Sequence, residues 1–145
     1  MRRLLAAFLL ACLVVPAVAP GTASAADTLL RLRLDGRPLD SKTPSGILHG
    51  GVAYVNVVRI TKGFSGLLTF GKSDKSVNVT ILGHTAKFWI GRRTGVVNAE
   101  DTTYPGAPFE HDGDFYVPLA TIAQLAGAAL TVDVKHGIAR LTTQS

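Results

Sequence analysis

Cysteine is almost absent from this chain. The single one, Cys12, falls in a segment that reads as a removable leader, so the mature protein is expected to have none. That excludes a disulfide framework and a cysteine metal site, and leaves stability to an apolar core. Long apolar runs are missing too: Leu4 to Val15 is shorter than the roughly 20 residues needed to span a bilayer. Basic residues form no long run. Arg31, Arg33, Arg92 and Arg93 are scattered, which sets nucleic acid aside as a partner. His49, His84, His111 and His136 are the only histidines, and no two share the close spacing that puts two metal ligands on one element. A nucleophile elbow of the Gly-x-Ser-x-Gly type is lacking, since Gly63-Phe64-Ser65-Gly66 is one residue short of it. Glu100, Asp101, Glu110, Asp112 and Asp114 sit in polar stretches with no sign of a buried carboxylate pair. No catalytic residue, metal ligand or cofactor is therefore expected, and the chain does not read as an enzyme.

What is present begins with the leader. Arg2 and Arg3 precede the apolar run, Pro16, Pro20 and Gly21 break it, and Ala23-Ser24-Ala25 fits a signal-peptidase site. Residues 1–25 thus read as a signal peptide, and residues 26–145 as one secreted domain of 120 residues. A rival reading takes Leu9-Leu10-Ala11-Cys12 as a lipoprotein box, but the residues after Cys12 are apolar where a polar tether is usual. Removing Arg2 and Arg3 leaves 13 basic against 10 acidic residues, a net charge of +3. So mild a charge serves solubility, or attraction to an anionic wall polymer.

The chain also repeats itself. Gly113-Asp-Phe-Tyr116-Val-Pro118-Leu, a helical stretch to Gly127, and alternating strands to Thr142 match a worn copy over residues 51–81. Tyr54 pairs with Tyr116, Ile60 with Ile122 and Leu68 with Leu130, each 62 residues apart; one extra residue in the first copy's turn is expected to shift its last strand. Leu30, Leu32 and Leu34 alternate with Arg31 and Arg33, and Val77, Val79 and Ile81 alternate with Asn78 and Thr80, the period of half-buried strands. Residues 40–51 and 99–108 read as loops. Pro118 is expected at the first position of a helix with Leu119, Ile122, Ala123 and Ala126 on its apolar face, and Gly127 at its left-handed cap. The first copy's helix, Val57 to Phe64, holds Thr61 and Gly63 and should be weaker. The expected fold class is α+β: two tandem strand–short helix–hairpin units, about 29–82 and 85–143, giving mostly antiparallel sheets with short packed helices.

Asp112-Gly113-Asp114-Phe115-Tyr116-Val117-Pro118-Leu119, then Ala126-Gly127-Ala128 and the hairpin to Thr142, resembles the copper amine oxidase N-terminal-like domain, or stalk domain. An upstream Leu34-Asp35-Gly36-Arg37-Pro38-Leu39 resembles that family's opening strand and turn. Ala120 stands where the family usually has arginine, and the first copy lacks both the proline and its leucine partner. The resemblance implies an extracytoplasmic, noncatalytic module of the bacterial envelope; the copper and quinone of amine oxidases belong to a separate large domain.

Three constellations remain. Gly66-Leu-Leu-Thr-Phe-Gly71-Lys72-Ser73 matches a phosphate-loop pattern by letters, but an alternating strand follows it where that motif needs a helix N-terminus. Glu110-His111-Asp112 with Asp114 is the densest set of metal-type ligands. It carries the alternative function, an extracytoplasmic metal-binding or hydrolytic protein using His111 and nearby carboxylates. Phe88 and Trp89 are neighbours on one strand and face opposite sides. With Phe88 in the core beside Ala86 and Ile90, Trp89 points outward with Lys87, near Arg92 and Arg93. These four, Trp89, Lys87, Arg92 and Arg93, are the expected ligand-binding residues. The expected function is a secreted binding or spacer module, its partner a cell-wall glycan or an envelope protein.

Overall fold

The computed structural model describes residues 27–39 and 43–144. The expected leader, residues 1–25 with Cys12, lies outside the described residues. The elements in order are β1 (Thr28–Leu34), β2 (Arg37–Pro38), β3 (Gly46–His49), β4 (Val52–Asn56), α1 (Val57–Gly63), β5 (Leu67–Gly71), β6 (Ser76–Ile81), β7 (His84–Trp89), β8 (Thr94–Val97), β9 (Glu100–Thr103), β10 (Phe109–His111), β11 (Asp114–Pro118), α2 (Leu119–Ala126), β12 (Ala128–Asp133) and β13 (Ile138–Thr143). They form an α+β domain. One sheet runs β10-β11-β4-β3-β1-β13-β12, with β2 on β1, and a second runs β5-β6-β7-β8-β9. Every strand pair is antiparallel except β1 with β13.

Both short helices touch both sheets. The reason lies in their sequences. In α2 only Ala120 and Gln124 are exposed, while Leu119, Thr121, Ile122, Ala123, Leu125 and Ala126 are buried. A helix apolar on nearly every side must be covered on nearly every side. Its side chains join Val77, Val79 and Phe88 of one sheet with Val55, Val117 and Leu141 of the other in a single core. A second, smaller cluster of Ile47, Tyr54 and Tyr116 lies apart from it, with Val52 and Phe109 packed on it.

The pairing of β4 with β11 is self-complementary. Val55 faces Val117, Asn56 faces Tyr116 and Tyr54 faces Pro118. Since Val55 and Val117 stand 62 residues apart, this is the register of two equivalent strands meeting about a local two-fold axis. The flanking hairpins match as well: β3 pairs β4 through Ile47–Tyr54 and His49–Val52, and β10 pairs β11 through Phe109–Tyr116 and His111–Asp114. The correspondence thus reaches back to His49 and His111. It also runs forward unshifted. α1 and α2 begin at Val57 and Leu119, and β6 and β13 at Ser76 and Ile138. Buried Val77 and Val79 answer buried Ala139 and Leu141. The expected one-residue shift of the last strand is absent.

Other expectations change too. Residues 46–49 form a strand, not loop. Its glycine is what allows it: a Cβ on Gly46 would stand 3.0 Å from the Leu30 Cβ and 3.2 Å from the Tyr54 carbonyl oxygen. Residues 100–103 are the edge strand β9, hidden in the sequence by Glu100, Asp101 and two threonines. Pro118 does not open the helix. It ends β11 as the N-cap of α2, in extended conformation and without a side-chain cap bond. In the first half, Asn56 takes that place and caps properly: its Oδ1 accepts from Val58 N at 3.1 Å and Arg59 N at 3.3 Å. The cap compensates the poorer helix-forming residues of α1. Gly127 adopts the left-handed conformation expected of it, at φ 64°.

Asn56→Ala should cost about 1–2 kcal/mol of stability, as loss of a good N-cap does. Thr61 in α1 carries a buried hydroxyl with no hydrogen-bond partner. Thr61→Val should therefore stabilise, by about 1 kcal/mol, because it removes an unsatisfied buried group at nearly constant shape. Urea titrations with unchanged m-values would measure both. A loss of stability in Thr61→Val would show that its hydroxyl is satisfied.

Candidate functional site

The outer face of the five-stranded sheet is built from β7. Alternation along it buries Ala86 and Phe88 and turns Lys87 and Trp89 outward, both half-buried. Register then sets the neighbours: Trp89 faces Ser76, and Lys87 faces Asn78 on one side and Val96 on the other. The turn between β5 and β6 brings Asp74 to Trp89. Its Oδ1 accepts from the Ser76 hydroxyl at 2.6 Å, its Oδ2 from the Trp89 indole N–H at 3.2 Å, and Lys87 Nζ stands 3.8 Å away. The Ser76 hydroxyl, then Trp89 and Lys87, hold the Asp74 carboxyl below its ordinary pKa.

Two of the expected cations lie over the indole. Lys87 Nζ is 4.8 Å from the ring centroid and the Arg92 guanidinium carbon 5.5 Å. Such exposed cation–π contacts contribute about 0.5–1 kcal/mol each. Arg93 turns elsewhere: its Nε donates to the Tyr104 carbonyl at 3.2 Å. The structure thus gathers Trp89, Lys87 and Arg92 and separates Arg93, which fastens the chain leaving β9. Beside the indole, Thr94, Val96, Asp101 and Thr103 line an open groove of about 380 Å³.

Tyr104 supports this face from beneath. Its ring stacks against Phe88 at 4.7 Å, and its hydroxyl donates to the Lys87 carbonyl at 2.7 Å, where the pairing of β7 with β8 stops. Burial pushes its hydroxyl up to about 12. Gly95 leaves the room, since a Cβ there would overlap the Tyr104 ring. The sequence reading missed Tyr104 because it treated residues 99–108 as loop.

The remaining candidates do not converge. His111 Nε2 lies 3.3 Å from Asp112 Oδ2, His49 Nδ1 lies 2.7 Å from Asp27, and His136 Nδ1 lies 2.8 Å from Asp133. Each has one carboxylate, and no three metal-type side chains cluster among the described residues. Residues 66–73 lie in β5 and the turn after it, and strand β6 follows where a phosphate loop has a helix.

A family model described as copper amine oxidase N-terminal domain matches residues 33–140. No curated protein and no solved structure matched the chain.

Trp89 is the only tryptophan, so its fluorescence reports on this site alone. Because the folded Asp74 is held below 3.8, its bonds are intact above that pH and are lost as pH falls through the depressed value. Acid titration should shift Trp89 emission with a midpoint below 3.8, and Asp74→Asn should abolish the transition. A transition that persists in Asp74→Asn would mean another group controls the indole.

Proposed function

Since this chain belongs to the copper amine oxidase N-terminal domain family through residues 33–140, we propose that it is a secreted, noncatalytic module of the bacterial envelope that holds a cell-wall glycan or an envelope protein on the face around Trp89. The leader-like residues 1–25 motivate secretion. We also read the domain as two tandem units of one design, on the 62-residue correspondence and the two-fold register of β4 with β11. No helix among the described residues is long and apolar enough to cross a membrane.

The observation that carries the binding role is the fixed indole. Asp74 holds its N–H, and the Ser76 and Val96 strands flank it, so the ring is set in place on a broad polar face. A sugar ring that stacks there must displace Lys87 or Arg92, exchanging a cation–π contact of about 0.5–1 kcal/mol for a stacking contact of similar size. The balance tips toward binding when the ligand also carries anionic groups for the displaced cation. An anionic wall polymer meets both needs, and the net charge of +3 after leader removal favours its approach. The alternative, a metal-binding or hydrolytic protein built on His111, has only Asp112 beside that ring.

The chain from Ala26 onward contains all the described structure and is the form to test. Cosedimentation with isolated cell-wall sacculi should retain it, with part of the retention surviving moderate salt and lost in Trp89→Ala. Retention that disappears wholly with salt would reduce the interaction to net charge. No retention would remove the wall polymer and leave the spacer or protein-partner role.

A further inference from the structure

A second groove, which Trp89 does not line, lies between the β5–β6 turn of one sheet and the β10–β11 hairpin of the other. Its volume is about 410 Å³, inside the range of small-ligand sites. The floor is apolar: Val58 from α1, Phe70 from β5, Ile90 and Phe115 from β11. Phe70 and Phe115 meet at a centroid distance of 6.1 Å and an angle of 53°. Phe70 remains 49 % exposed and Val58 38 %. The walls carry opposite charge. Lys72 and Lys75 stand on the β5–β6 turn, and Glu110 and Asp114 on the hairpin opposite. Among the described residues no ion pair joins them.

β5 borders this groove and ends its sheet. Natural edge strands are usually blunted by charge or proline. β9 has Glu100 and Asp101, but Leu67–Gly71 has neither, and Leu67 is 70 % exposed. A strand added along such an edge bonds through its backbone and drops alternate side chains onto the inner face.

We propose that this groove takes an extended peptide segment. One apolar or aromatic side chain seats on the Phe70–Phe115 pair, an acidic residue two positions away meets Lys72 and Lys75, and a basic residue on the other side meets Glu110 and Asp114. Uncompensated charge of both signs on facing walls disfavours a neutral sugar and a plain acyl chain alike. A peptide alone among these supplies an apolar group, both charges and a backbone for the free edge.

The probe is acetyl-Glu-Val-Phe-Val-Lys-amide, whose first, third and fifth side chains share a face when extended. It is titrated into the isotope-labelled chain from Ala26 onward and followed by backbone amide NMR. Saturable shifts at Val58, Phe70, Ile90 and Phe115 are expected. Phe70→Ala should remove saturation. The double reversal Lys72→Glu with Lys75→Glu should weaken binding about tenfold or more, since like charges are then opposed. Replacing the probe's glutamate with lysine should restore binding to that variant. Trp89→Ala should leave the titration unchanged, so failure here and failure of the wall-binding site read separately. Absence of saturable shifts, or insensitivity to the charge reversal, would overturn the assignment. So would shifts along Leu67–Gly71 that appear with protein concentration alone and a doubled mass, because a second copy would then occupy the edge.

Discussion

The pairing of β4 with β11 is the constraint from which the rest follows. It sets Val55 against Val117 one strand in from the β10 edge of the larger sheet, and each strand runs directly into its helix at Val57 or Leu119. Two antiparallel neighbours must send the helices that follow them off in opposite directions. α1 and α2 then lie over the same sheet, and both have more apolar surface than one sheet covers: Val57 and Ile60 in one, most of α2 in the other. The five-stranded sheet covers that surplus with Val77, Val79, Ile81 and Phe88. Burying these groups from both sides, rather than any single polar contact, is what holds the two sheets together.

The hairpins that follow the two helices go to different sheets. β12 and β13 join the large sheet, where β13 runs parallel to β1. β5 and β6 instead join β7, β8 and β9 in the five-stranded sheet, with β6 against β7. The parallel contact is clasped by Asp35, whose two carboxylate oxygens accept from Thr143 N at 2.7 Å and Thr143 Oγ1 at 2.6 Å. Those bonds join positions 108 residues apart in sequence. On the other branch, the added strands create the outer face that presents Trp89. Tyr104 fixes that face by bonding the Lys87 carbonyl where the ladder opens.

Much of this was legible because period-two alternation is a direct consequence of one-sided burial. β1, β6 and β7 announced themselves through Leu30 and Leu32, Val77 and Val79, and Ala86 and Phe88, all of which the fold buries. The face of Trp89 and Lys87 followed from the same alternation. β3 and β9 were not legible. In β3 the decisive residue is Gly46, whose missing side chain signals a turn in sequence and a close backbone approach in the fold. In β9 the residues are polar because the strand lies at the sheet edge with only Thr102 partly covered. Pro118 misled in the same way: proline is also tolerated at the end of β11, where pairing continues only with Tyr54 of β4, past the last pair with β10. Arg93 and Tyr104 show a further limit, since a bond across a loop leaves no periodic trace.

The charged groove has no counterpart at the positions 62 residues away. The residues that face it from the hairpin, Glu110, Asp114 and Phe115, correspond at 62 residues to Leu48, Val52 and Ala53. From the opposite wall, Phe70 corresponds to Val132, and Val58 to Ala120. The counterpart position therefore lacks both aromatic rings and both carboxylates. Phe115 belongs to the main buried core, whereas Phe70 lies outside it. Phe70 is half exposed and Phe115 nearly buried, so the pair forms a ledge rather than a plug. An exposed aromatic ledge between unpaired charges of opposite sign costs solubility and gains the fold little packing. The balance of those two effects favours a surface kept for contact with another chain.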